Sequence, residues 1–117
     1  MRGALGQPQS MADDTLDTLE ATIRARRGAD PATSYTAKLF ARGRGKIAQK
    51  VGEEAVETVI AALTEDKAAL VGEVTDLMFH LLVLLAECDV SLDDVRAEIR
   101  QREGVSGIDE KAARTKD

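Results

Sequence analysis

The stretch KIAQKVGEEAVETVIAALTEDKAALVGEVTDLMFHLLVLLAEC, Lys46 to Cys88, decides how this chain folds. Ile47, Val51, Ala55, Val59 and Leu63 recur every four positions, which puts an apolar stripe along a helix from about Lys46 to Leu63. Thr64, Glu65 and Asp66 make the turn, and a second helix runs from about Lys67 to Cys88. From Leu77 onward that second helix is apolar around its whole circumference, so this half needs other helices around it. The pair reads as an antiparallel hairpin.

Two acidic clusters lie on it, Glu53, Glu54 and Glu57 in GEEAVE and Glu73 and Asp76 in GEVTD. At 3.6 residues per turn, Glu54 and Glu57 lie about 60° apart on one helix face, and Glu73 and Asp76 repeat that relation on the next. Like charges at this spacing cost each helix a few tenths of a kcal/mol, and no basic residue lies within four positions of Glu57 or Asp76 to relieve them. In the hairpin Glu57 stands eight residues before Glu65 and Glu73 eight after, so four or five carboxylates converge. Hard oxygen donors in that number, without His or Cys, suit Mg²⁺ or Mn²⁺ rather than zinc. Gly52 and Gly72 each precede a cluster, and a glycine inside a helix costs ~1 kcal/mol relative to alanine, so the pair implies close approach of a helix or a ligand. The competing reading is five solvated surface acids.

Outward from the hairpin the pattern stays helical. Leu16, Leu19 and Ile23 share a face of a helix from about Asp14 to Arg27, ended by Gly28. ADPATS is a loop, SYTAKLF a short helix capped by Ser34 or Thr36, and Gly43 to Gly45 a break. A last helix opens at Ser91, with Asp94 completing a capping box, and carries Val95 and Ile99 inward. Residues 1–11 read as a disordered extension, with Met11 an alternative start, residues 12–103 as one all-α domain and 104–117 as a flexible tail.

Composition agrees. Hydrophobic residues fill 44% of the 117 positions, but Tyr35, Phe40 and Phe79 are the only aromatics and alanine is abundant, so the core is thin. A helical bundle completed by homo-oligomerisation, a dimer foremost, follows, with its interface on or beside the Leu77 to Ala86 face. A lone cysteine, Cys88, excludes a disulfide framework and suits a reducing cytoplasm. No export signal is visible, and the longest apolar run, Leu77 to Ala86, is half the roughly 20 residues of a membrane span.

The net charge of −5 divides unevenly, +4 over residues 1–50 and −9 over residues 51–117. Lys38 to Lys50 holds five basic residues and no acid, directly before the acidic clusters, which suits an anionic ligand bound through metal ions. Two solvated faces of opposite sign are the plainer alternative. Nucleic acid is not expected, since the basic segment is short and nearly free of aromatics to stack bases.

SYTAKLFARG, KIAQKVGEEAVETVIAA and GEVTDLMFHLLVLLAECDVSLDDV resemble the phosphoribosyl-ATP pyrophosphatase family of histidine biosynthesis, within the MazG-like all-α pyrophosphohydrolases. The similarity spans roughly residues 15 to 103; Thr75 stands where a small apolar residue is expected. The resemblance implies Mg²⁺-dependent hydrolysis of 1-(5-phosphoribosyl)-ATP to phosphoribosyl-AMP and pyrophosphate, with Glu54, Glu57, Glu73 and Asp76 as metal ligands. Glu53, about 40° from Glu57, becomes the candidate for orienting or deprotonating water, or else a further ligand. Lys38, Arg42, Lys46 and Lys50 are placed to meet phosphates, Lys38 and Lys50 foremost. His80, four residues after Asp76, reads either as a support for its carboxylate or as a hydrogen-bonded core residue; Tyr35 either stacks on a base or packs. The alternatives are a pyrophosphohydrolase for other nucleoside triphosphates and a non-catalytic helical dimerisation module.

Overall fold

The computed structural model describes residues 13–104 as five α-helices: α1 (Thr15–Ala25), α2 (Tyr35–Arg42), α3 (Arg44–Thr64), α4 (Lys67–Glu87) and α5 (Leu92–Glu103). There is no strand among the described residues, so the all-α reading holds. The expectations for residues 1–11 and for the tail after Gly104 lie outside the described residues.

Local chemistry sets the boundaries. Ser34, not Thr36, caps α2, its hydroxyl accepting from Ala37 N at 3.1 Å. Asp66 caps α4 through Ala69 N at 2.9 Å, and Ser91 with Asp94 forms the reciprocal capping box of α5. The break after α2 is one residue rather than three. Gly43, at φ +92° and ψ 169°, turns the chain alone, and Arg44 and Gly45 already belong to α3. Only glycine adopts that backbone freely.

α3 and α4 pack as the predicted antiparallel hairpin. Ile47 and Val83, each eighteen residues from Glu65, are both 0% exposed and anchor a core with Ile23, Leu39, Leu82 and Ala86. The far end of the expected stripe is different, for Val59 and Leu63 are 58% and 78% exposed. A step of four residues drifts about 40° round the helix, so the stripe leaves the hairpin face. Ala61 is buried there instead, while Val56, Val59, Ile60 and Leu63 form an exposed apolar face.

The described residues do not fully enclose the apolar half of α4. His80, Leu82, Val83 and Ala86 are buried, but Met78 and Leu81 stay 36% and 41% exposed. They line a groove of about 240 Å³ with Leu16, Leu85, Leu92 and Val95. Val95 and Ile99, expected inward, are exposed, and α5 buries no residue within the chain. α4 is long and apolar enough to cross a bilayer by length and composition alone, yet Glu73 and Asp76 interrupt it and Val83 and Ala86 pack into the core.

Polar ties, none of them legible as spacing, lash α1 to the α4–α5 turn. Arg24 donates to the Val90 carbonyl at 2.7 Å and Arg27 to the Ala86 carbonyl at 2.9 Å, while Glu20 accepts from Leu92 N at 2.8 Å. Arg96 grips Asp17 through two bonds of 2.7 and 2.9 Å. Arg27 on the Ala86 carbonyl, in the last turn of α4, complements the negative end of that helix.

Candidate active site

The hairpin register that aligns Ile47 with Val83 also aligns Glu54 with Asp76 and Glu57 with Glu73. One carboxylate oxygen each from Glu54, Glu73 and Asp76 lies within 4.8 Å of the other two; Glu54 and Glu73 are half-buried and Asp76 is exposed. The carboxyl of Glu73 is pushed above the usual glutamate range, first by partial desolvation and then by the negative charges of Glu57, Asp76 and Glu54. Glu57 is therefore part of the same negative field, although its oxygens stand outside that tight trio. Repulsion left standing in a folded site is what a divalent cation relieves, and an all-oxygen set of this size fits a hard one.

Glu53 stands beside this trio, joined to Glu54 through Lys50. Its carboxylate accepts from Gln49 Nε2 at 2.8 Å and lies 3.5 Å from Lys50 Nζ, and the Gln49 bond, aided by the charges of Lys50 and Lys46, holds it below the usual range. It remains a carboxylate at neutral pH, beside the trio rather than within it.

Of the four candidate cations, Lys50 is brought to the acids, with Nζ 3.5 Å from Glu53 and 3.8 Å from Glu54. Lys46 is half-buried one turn earlier and contributes to the field at Glu53. Lys38 and Arg42 are exposed on α2. Arg44 turns away to Glu87, 3.3 Å from its carbonyl.

The two glycines do not mark close packing within the chain. Among the described residues, a Cβ on Gly52 or Gly72 would meet nothing within 4 Å. Of the approaches that the sequence allowed, one helix against another inside the hairpin is thereby excluded.

Of the two readings of His80, the hydrogen-bonded core residue is the one found: it is buried, and it meets the backbone of Asp76 rather than its carboxylate. Its Nδ1 lies 2.8 Å from the Asp76 carbonyl oxygen, and its Nε2 lies 3.0 Å from the Tyr35 hydroxyl. Sequence spacing signalled the His80–Asp76 relation, four residues apart on one helix, but carried no sign of Tyr35, 45 residues away.

Residues 16–103, from the second residue of α1 to the end of α5, match the phosphoribosyl-ATP pyrophosphohydrolase family. The chain is 65% identical over 102 residues to the phosphoribosyl-ATP pyrophosphatase of Rhizorhabdus wittichii, covering 87% of this chain and 96% of that one. It is 61% identical over 108 residues to the enzyme of the same name from Paramagnetospirillum magneticum, covering 91% and 99%. With that of Rhodobacter capsulatus it shares 60% over 99 residues, covering 85% and 96%. A clustered carboxylate hairpin within an all-α chain and a match across the whole described fold lead to one placement: the chain belongs to the phosphoribosyl-ATP pyrophosphohydrolases, a family of hydrolases.

Proposed function

We propose that the chain hydrolyses 1-(5-phosphoribosyl)-ATP to phosphoribosyl-AMP and pyrophosphate in a Mg²⁺-dependent reaction, with Mn²⁺ able to substitute. The observation that carries the reading is the convergence of Glu54, Glu73 and Asp76 within 4.8 Å, beside Glu57 and Lys50, in a chain of this family.

Glu54, Glu57, Glu73 and Asp76 would hold the metal. When bound, it neutralises charge on the triphosphate and on the departing pyrophosphate and acidifies water. The protein's own groups do the positioning. Lys50, already poised on the acidic cluster, turns to a phosphate oxygen, and Lys46, Lys38 and Arg42 extend the positive field from which the polyphosphate enters. Glu53, kept ionised by Gln49 and Lys50, accepts a hydrogen bond from the attacking water and orients it. Its depressed basicity favours orientation over outright proton removal.

The protein works as a cytoplasmic homo-oligomer, a dimer in the simplest case. The exposed apolar faces at Val56 to Leu63 and at Met78 and Leu81 support the assembly, since apolar surface on α3 and α4 is costly in water.

The test is Glu57→Gln. Mg²⁺-dependent pyrophosphate release is expected to fall by at least a hundredfold with helix content and oligomer intact; an active variant sinks the ligand assignment.

A further inference from the structure

Counting His80, the chain has four aromatic rings, and three of them meet at one joint. Tyr35 stacks offset on Phe79 with centroids 6.1 Å apart and planes 24° from parallel, and His80 stands edge-on to both. His80 is buried, 6% exposed, whereas Tyr35 is 52% exposed. Phe40 and Phe79 are each partly covered, so Tyr35 is the chain's one exposed aromatic ring.

The ring is nevertheless fixed. A carbonyl oxygen can only accept, so His80 Nδ1 carries the hydrogen that Asp76 O receives. In the neutral imidazole Nε2 is then an acceptor, and the Tyr35 hydroxyl donates to it. At its other end Tyr35 is the first residue of α2, locked by the Ser34 cap. Phe79 supports one flank. A tyrosine that served only to satisfy His80 could lie covered over it; this one is held rigid and turned outward, and its hydrogen-bond chain ends on the residue that supplies one of the three clustered carboxylates.

The geometry points to Tyr35 as the platform on which the substrate's purine ring stacks. This rests on the hydrolase reading above, in which phosphates occupy the Glu54, Glu73 and Asp76 end of the hairpin. From there the nucleoside extends toward the start of α2. A pre-oriented aromatic face recognises a flat base without a hydrogen-bond code and loses little freedom on binding. His80 and Phe79 are positioning residues for that face.

The experiment compares Tyr35→Phe, which keeps the ring, with Tyr35→Leu, which keeps bulk and apolarity, on phosphoribosyl-ATP with Mg²⁺. Stacking predicts KM within about threefold of wild type for the first and raised about tenfold or more for the second, with kcat within about threefold in both. A Tyr35→Leu enzyme with wild-type KM, or a Tyr35→Phe enzyme as impaired as Tyr35→Leu, overturns it. Should a variant misfold by circular dichroism, the wild-type protein decides. It has one tyrosine and no tryptophan, so its intrinsic emission reports Tyr35 alone. Saturating phosphoribosyl-AMP should quench that emission after correction for ligand absorption, while pyrophosphate should not. Normal turnover with unquenched Tyr35 overturns this inference alone; absence of turnover on phosphoribosyl-ATP overturns the reading beneath it.

Discussion

Glu54 and Asp76 face each other across the α3–α4 hairpin, eleven residues before and eleven after Glu65, with a carboxylate oxygen of each within 4.8 Å of the other. Such an approach of two like charges, with Glu73 as a third, costs free energy unless a proton or a cation intervenes.

The first prediction follows from Glu73. Its carboxyl is raised in the folded, metal-free protein, so the native state holds the proton to higher pH than the unfolded chain does. Stability is therefore unaffected below the ordinary glutamate value of about 4.3, falls as pH rises through the window just above it, and stays lowered at neutral pH. Glu73→Gln should be more stable than wild type to urea in EDTA at pH 7, and this advantage should vanish near pH 4. Mg²⁺ should reverse the order at pH 7. An advantage equal at both pH values contradicts the charge-repulsion account.

Lys50 is the cation that the fold delivers to the acids, at 3.8 Å from Glu54. Lys50→Met should raise KM for the nucleotide about tenfold, the scale of one charge-assisted hydrogen bond, with a smaller change in kcat. Steady-state kinetics at saturating Mg²⁺ checks this, and an unchanged KM removes Lys50 from the phosphate contacts.

Among the described residues, Gly52 and Gly72 leave open space where a Cβ would stand. Alanine at either position should stabilise the isolated chain by up to ~1 kcal/mol through helix propensity. If the space is filled by substrate or by a second subunit, the same change should lower activity or weaken association. Denaturant unfolding paired with kinetics and sedimentation separates these; a stabilised, fully active oligomer leaves the glycines without a role in the site.

How much of this was legible in the sequence depended on whether the signal was local. Caps at Ser34 and Ser91 and the carboxylate spacing are short-range patterns, and the hairpin register follows from the turn by counting, although Asp66, read there only as part of that turn, also caps α4. The stripe through Val59 and Leu63 failed because a four-residue repeat drifts round a helix, and over α3's 21 residues the drift carries it off the packed face. Tyr35 against His80 and Arg96 against Asp17 join residues 45 and 79 positions apart, where no periodicity reaches. Val95 and Ile99 were expected inside because they are apolar, yet they stay exposed, with no cover among the described residues.

That uncovered surface gives the fourth prediction. Leu81 is 41% exposed on the apolar half of α4. Leu81→Asp should shift the protein from oligomer to monomer in analytical ultracentrifugation while the buried Leu82 and Val83 keep the subunit folded. A variant that assembles like wild type puts the interface elsewhere, with Val56, Val59, Ile60 and Leu63 the next face to test.

The most direct measurement of the central claim is substrate choice with metal control. The protein is incubated with phosphoribosyl-ATP and, separately, with the common nucleoside triphosphates, each with Mg²⁺ or with EDTA, and pyrophosphate release is followed. The account predicts release from phosphoribosyl-ATP at a kcat/KM at least a hundredfold above that for any common triphosphate, abolished by EDTA. Preference for a common triphosphate, or undiminished release in EDTA, would contradict it.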